Sequence, residues 1–295
     1  MSDGLDPALS EALTRFTADD GAALLVALDF DGTLAPLVDD PTAARMTDRV
    51  RAAIDRLGAL DRSDGGASDG GASGSGASDG GPAPGARTRL AFVSGRDLED
   101  LAARAEPPAG SYLVGSHGAQ TGHVTSEGLE SVPLELSADQ AETLSELRTA
   151  LDAAVAGREG AWVQHKPSAA VLHTRLAGPD DTTAAVEGAD AAAERLGLEA
   201  MHGKDVVEIA VLHTTKGEAL DRLRAVVGQD AGASAVRVLY AGDDTTDEKA
   251  FAVLGADDLT LKVGDGETLA EHRVHGADDV ADVLERLLDR ISAGS

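Results

Sequence analysis

The sequence predicts an α/β protein built on a doubly wound parallel sheet, with a smaller α+β unit inserted into it. Three observations lead there. Residues 22–30 (AALLVALDF) form a nearly unbroken apolar run ending in acidic residues, the pattern of a buried parallel strand whose carboxyl end opens on a site. The same pattern recurs at 89–93 (RLAFV) before SGR, at 112–115 (YLVG) before SHGA and at 236–241 (VRVLYA) before GDDTTDE. Helical periodicity fills 47–60, 97–105 and 216–227, and in the last of these Leu220, Leu223, Val226 and Val227 share one face. Strands alternating with helices make a sheet wound on both faces, and ligands of such sheets lie beyond the carboxyl ends of the strands.

From 121 to 212 the texture changes to Ala-rich helices and short alternating strands, at 161–165, 169–175 and 205–211. This stretch is expected to form a separate α+β cap, leaving 1–120 and 213–295 as the core domain. Residues 61–87 repeat Gly, Ser and Asp without one core-forming side chain and are expected to be a flexible, solvated loop.

Composition narrows the function. The chain has 295 residues, 42% of them hydrophobic but only 2% aromatic, so its core must be built from Ala, Val and Leu. Its 52 acidic residues stand against 25 basic ones, a net charge of -27 spread along the whole length, and only five residues are lysine. That surface opposes nucleic acid and anionic membranes as partners. It resembles the proteins of salt-accumulating halophiles, whose self-repulsion is screened at high ionic strength, and weak folding at low salt is expected. The absence of cysteine excludes disulfides, thiolate metal sites and a cysteine nucleophile. With neither a basic-then-apolar leader nor about 18 consecutive apolar residues, the protein is expected to be soluble and cytoplasmic.

The chemistry concentrates in four strings. In LDFDGTLAP, Asp29 and Asp31 leave a strand end one residue apart, so both carboxylates point to the same side. Such a pair is tolerated when a divalent cation binds between them or when one is protonated. Gly32 and Thr33 begin a turn whose backbone N–H groups can meet phosphate oxygens. In FVSGR, Ser94 offers a hydroxyl, Gly95 a bare backbone and Arg96 a bidentate fork for carboxylate or phosphate. In HTTKGEAL, Lys216 opens a helix where an ammonium can neutralise a transferring phosphoryl group. In GDDTTDE, Asp243, Asp244, Asp247 and Glu248 crowd six residues, an arrangement that suits a hard cation such as Mg²⁺. Taken singly, each string also reads as a capped turn with solvated side chains.

In this order the four motifs resemble the haloacid dehalogenase superfamily of aspartate-nucleophile phosphatases, over about residues 24–266. Within it, DFDGTLAP, SGR, GSHGA, GKDVVEIA, TTKGEAL and GDDTTDE are similar to the trehalose-6-phosphate phosphatase family, whose cap is inserted between the second and third motifs. The resemblance implies a HAD-like core in which Asp29 attacks phosphorus, while Asp31 protonates the leaving oxygen and then deprotonates water. It implies phosphate binding by Gly32, Thr33, Ser94, Gly95 and Lys216. It also implies Mg²⁺ held by Asp29, the Asp31 carbonyl and Asp243, with Asp247 and Asp244 ordering its waters.

Contacts to a small sugar phosphate are expected from Arg96, His117, Gly118, Lys166, Lys204 and Glu208, and His173 is a further candidate, although a lone His in an apolar strand is more often simply buried. Two positions depart from the family pattern, where acids are usual: Gln120 after GSHGA and Gln164 before Lys166. Amides still bond hydroxyls, so sugar binding is expected to survive. Functional pairing with a trehalose-6-phosphate synthase is implied. The alternatives are phosphatases of sucrose, mannosylglycerate or glucosylglycerol phosphate, a phosphotransferase or mutase, and a non-catalytic partner of a sugar-phosphate synthase.

Overall fold

Every residue of the first strand is buried, and its side chains feed two different cores, which fixes the layering of the fold. The computed structural model describes residues 5–18, 20–38, 40–62, 87–132, 134–212 and 214–293. Strand β1 (Ala23–Leu28) sends Leu24, Val26 and Leu28 to one face and Ala23, Leu25 and Ala27 to the other. On the first face they meet helices α1 (Pro7–Phe16), α2 (Asp48–Arg62), α3 (Leu98–Ala105) and α8 (Ala277–Ala293). On the second they meet α6 (Lys216–Asp230) and α7 (Thr245–Phe251). Aromatic side chains are few, yet all four phenylalanines are buried here, at positions 16, 30, 92 and 251.

The sheet has eight strands, ordered β12-β11-β10-β1-β2-β3-β4-β5. They are β2 (Thr88–Val93), β3 (Tyr112–Gly115), β4 (Gln120–Thr125), β5 (Gly128–Val132), β10 (Val236–Gly242), β11 (Leu259–Val263) and β12 (His272–Val274), beside β1. Six strands are parallel, while β4 and β5 add antiparallel at one edge. The chain runs outward from β1 through β2 and β3, then returns to β10 on the other side of β1. The strand order therefore reverses at β1, which is where such sheets bind ligands.

Two compact units form, Met1–Val132 with Thr215–Ser295, and Pro133–Thr214. The division differs from the expected one at residue 121. Residues 121–132 pair with β3 and extend the large sheet, because Thr121 to His123 lie in register with Val114 to Tyr112. Alternating edge strands with one open face read like the strands of an insert. The second unit is an antiparallel sheet ordered β6-β7-β9-β8, from β6 (Trp162–His165), β7 (Ala169–His173), β8 (Ala200–Gly203) and β9 (Val206–Ala210). One face packs on α4 (Ala138–Val155) through Leu144, Leu147 and Leu151 and on α5 (Pro179–Leu196) through Ala185, Ala189 and Ala192, against Ala170, Leu172, Val207 and Ile209. Helix α2 runs to Arg62, so residues 61 and 62 of the expected loop are helical; residues 63–86 of it lie outside those described.

Leu25 lies on β1 with no exposed surface. Leu25→Ala should lower the unfolding free energy by about 2–5 kcal/mol, measured by denaturant titration at constant high KCl.

Candidate active site

The ends of β1 and β10 and the starts of α6 and α7 bring the predicted carboxylates and lysine together. Asp29 prolongs β1, its N–H donating to the Ala241 carbonyl of β10 at 2.9 Å. Asp243 follows β10, and Asp247 sits in the first turn of α7. Thr215 caps α6 in a reciprocal capping box with Glu218, which places Lys216 at the first helical position. A cation there is opposed by the helix dipole, so acids must hold it. Its Nζ donates to Asp29 Oδ1 at 2.6 Å and to Asp247 Oδ1 at 2.7 Å, with all three side chains buried.

Carboxylate oxygens of Asp29, Asp243 and Asp247 lie within 4.8 Å of one another. Lys216 alone cannot balance three carboxylates, and Lys262, the other ammonium acting on Asp243, also faces Glu248 at 3.6 Å. Burial pushes the Asp29 carboxyl up to about 8, against the pull of Lys216 and with the push of Asp247. Burial, then Asp247, lifts Asp243 to about 6. Burial also works against the Lys216 ammonium, but Asp29 and Asp247 outweigh it and hold its pKa above the ordinary value. An excess of hard oxygen donors around a shortage of positive charge fits Mg²⁺.

Asp31 lies beside this cluster under different control. Arg96 grips it in bidentate fashion, Nε to Oδ2 at 2.6 Å and Nη2 to Oδ1 at 2.7 Å. Arg96 therefore spends its fork on the neighbouring acid, the carboxylate alternative of the two partners read for it, while the family resemblance implied a substrate contact. Gly32, at φ +78, turns the chain between Asp31 and the cluster, and a Cβ there would come within 1.9 Å of Asp243 Oδ2. Thr33 is buried, and its Oγ1 has no partner among the described residues. Ser94 closes β2, with its Oγ accepting the Arg96 N–H at 3.2 Å. Gly95 lies under His117, whose Cε1 would stand 2.4 Å from an added Cβ. His117 and Gly118 belong to a short turn at 116–118, and the Gly118 carbonyl accepts from Arg222.

Not every acid joins the cluster. Asp244 caps α7, accepting from the Thr245 N–H at 2.6 Å, so its carboxylate is turned to the helix start. Glu248 accepts the Leu269 N–H at 2.8 Å. Gln120 accepts from Ser116 Oγ at 2.7 Å and from the Leu98 N–H at 3.2 Å, an anchor within the fold. In the second unit, Lys166 pairs with Glu208 at 3.1 Å, and His173 meets Gln164 at 3.3 Å while stacking on Trp162. Burial, then the charge of Lys166, holds the His173 pKa below its ordinary value. Lys204 stands exposed in the turn between β8 and β9.

Two contributors escaped the sequence reading. Tyr240, inside the apolar run of β10, donates its hydroxyl to Asp247 Oδ1 at 2.6 Å. Lys262, buried on β11, donates to the Asp243 carbonyl at 2.6 Å. The scarcity of lysine was a usable signal for the second; nothing marked the first.

The sequence profile of the Trehalose-phosphatase family matches residues 85–280. The chain belongs to the trehalose-phosphatase family. Among its relatives, the trehalose-phosphate phosphatase of Mycobacterium marinum is 30% identical over 302 residues, covering 96% of this chain and 67% of the relative. A trehalose 6-phosphate phosphatase of Zea mays is 28% identical, covering 97% and 75%. The solved trehalose-6-phosphate phosphatase of Aspergillus fumigatus superposes with a TM-score of 0.63 over 97% of this chain and 98% of that one, at 24% identity, a likeness of fold. The core thus has the HAD-like α/β fold that members of the trehalose-phosphatase family were expected to share.

Asp29 and Asp243 have pKa values raised above the roughly 4 of an unfolded carboxyl. Without metal the folded state therefore holds extra protons between about pH 4 and about pH 8, and its stability falls as pH rises through that window. A bound divalent cation replaces those protons. The gain in Tm on adding Mg²⁺ should be larger above about pH 8 than near pH 5, as read by thermal scans at fixed KCl. Equal gains would contradict this account.

Proposed function

We propose that the chain is a Mg²⁺-dependent phosphatase that hydrolyses trehalose 6-phosphate to trehalose and phosphate through an aspartyl-phosphate on Asp29. The observation that carries this reading is the buried Asp29 carboxylate, tied to Lys216 within a three-acid cluster and followed two residues later by a separately held Asp31. Asp29 attacks phosphorus while the bond to the sugar oxygen breaks, and Asp31 gives that oxygen its proton. Asp31 then takes a proton from water, which attacks phosphorus and returns Asp29 to a carboxylate.

Lys216 offsets the negative charge gathering on the phosphoryl oxygens, which matters the more because the protein itself carries a net charge of -27. Ser94, Thr33 and the backbone at Gly32 and Gly95 border the same strand ends and are the proposed phosphate contacts. Mg²⁺, held by Asp29, Asp243 and the Asp31 carbonyl with Asp247 behind them, would supply Lewis-acid neutralisation of the phosphate. Support for the substrate comes from the family and from relatives named for trehalose phosphate. The Lys166–Glu208 pair with Gln164 and His173 is the proposed sugar-hydroxyl set in the second unit. The dense acidic surface supports a cytoplasm of high salt as its working medium.

A phosphate-release screen over sugar phosphates in high KCl with Mg²⁺ should show trehalose 6-phosphate hydrolysed best. A preference for sucrose, mannosylglycerate or glucosylglycerol phosphate would reassign the substrate, and no release from any ester would favour a non-catalytic role. Asp29→Asn should abolish release with an unchanged circular dichroism spectrum. Lys216→Ala should lower kcat by about 100-fold or more, roughly 3 kcal/mol of transition-state stabilisation.

A further inference from the structure

Asp31 is held by a chain of charges that reaches well beyond the motif it belongs to. The Arg96 guanidinium offers five N–H groups, and four contacts take up its fork. Two go to Asp31, a third runs from Nη2 to the Pro41 carbonyl at 2.9 Å, and the fourth from Nη1 to Asp100 Oδ2 at 2.6 Å. Its carbon stands 5.6 Å over the Phe30 ring. The other Asp100 oxygen accepts Arg104 Nε at 2.9 Å, and Arg104 donates onward to the Thr42 carbonyl. The position of Asp100 is itself fixed, because its N–H donates to the Asp97 cap of α3 at 2.8 Å. Acid and base alternate along the line Asp31, Arg96, Asp100, Arg104, so each charge is compensated by its neighbours.

We propose that Asp100 is a positioning residue for the acid–base step: it locks the Arg96 fork, and the fork in turn fixes both oxygens of Asp31. A carboxyl group turns readily about its last torsion, and a general acid must aim its proton at one oxygen of the substrate. The bidentate grip removes that freedom. It occupies two of about four acceptor positions on Asp31 and leaves two for proton transfer, so the grip need not open during turnover. Without Asp100, Arg96 keeps its charge but loses the contact that sets its plane. The proposal rests on the reading of Asp31 as acid and base given above.

The test compares two leaving groups on the full chain in high KCl with Mg²⁺. Trehalose 6-phosphate releases an alcohol that needs a proton, whereas p-nitrophenyl phosphate releases a phenolate that does not. Asp100→Asn should lower kcat on the sugar phosphate at least about tenfold with little change in KM, part of the 10²–10⁴ that general acid–base catalysis contributes. The initial burst of p-nitrophenol, which reports attack by Asp29 alone, should stay within about twofold of wild type, because that step asks nothing of Asp31. Asp100→Glu should recover most of the sugar-phosphate rate.

An unchanged kcat in Asp100→Asn overturns the proposal. So does an equal loss on both esters, which marks a structural role, or a rise in KM alone, which marks Arg96 as a substrate contact. Failure of the underlying reading looks different. If Asp31→Asn hydrolyses the sugar phosphate at the wild-type rate, the acid–base assignment falls. If another sugar ester is the better substrate, the same comparison made on that ester still decides the role of Asp100.

Discussion

The buried ammonium of Lys216, shared between Asp29 and Asp247, is the contact on which the rest of the site depends. It joins the end of β1, the start of α6 and the first turn of α7, three elements far apart in the chain. Breaking a buried pair by removing one partner typically costs about 3–5 kcal/mol, because the remaining charge is left without compensation. The surroundings are built to prevent that. The Thr215–Glu218 capping box fixes where α6 begins, the ladder with β10 fixes Asp29, and the Tyr240 hydroxyl and Asp244 N–H orient Asp247 from two sides. With Oδ1 committed to Lys216 and Tyr240, and Oδ2 receiving one N–H, Asp247 keeps only part of its acceptor capacity. That division suits a residue supporting a cation from behind more than one enclosing it.

Charge is arranged on two scales. The outer surface is acidic enough to repel an anionic substrate, and the core beneath it is built mainly of Leu, Ala and Val around the four buried phenylalanines. Within the site, two separate devices manage the acids. The cluster around Asp29 is short of positive charge and buried, so a divalent cation is the natural complement. The line from Asp31 through Arg96 to Arg104 is balanced by arginine instead and is partly open to solvent. Two carboxylates two residues apart thereby acquire different surroundings, as the proposed nucleophilic and proton-transfer duties would require.

Much of this could be read from the sequence because the central parallel strands are buried on both faces and show as apolar runs with polar ends. The positions of β1, β2, β3 and β10 followed from that pattern, and the helix start at Lys216 from the helical spacing of the apolar residues after it. What escaped it had physical causes. Strands β4 and β5 are half-exposed at a sheet edge, so their alternation passed for part of the insert, and β12 is too short at three residues to show a period. Tyr240 and Arg96 were visible as residue types, but their partners lie on other elements. A hydroxyl within an apolar run reads as core, and a guanidinium beside a strand end can face a carboxylate or a phosphate until the carboxylate itself is seen. Gln120 shows the converse: its departure from the family pattern is absorbed inside the fold, on Ser116 and Leu98.

Trapping the covalent intermediate tests Asp29 as the nucleophile. The full chain, mixed with trehalose 6-phosphate in high KCl and Mg²⁺ and quenched in acid within one turnover, should carry one phosphoryl group on the peptide containing Asp29, labile to hydroxylamine and mapped by mass spectrometry. Product formation with no phosphoryl group on that peptide, or with the group on another residue, would contradict Asp29 as the nucleophile.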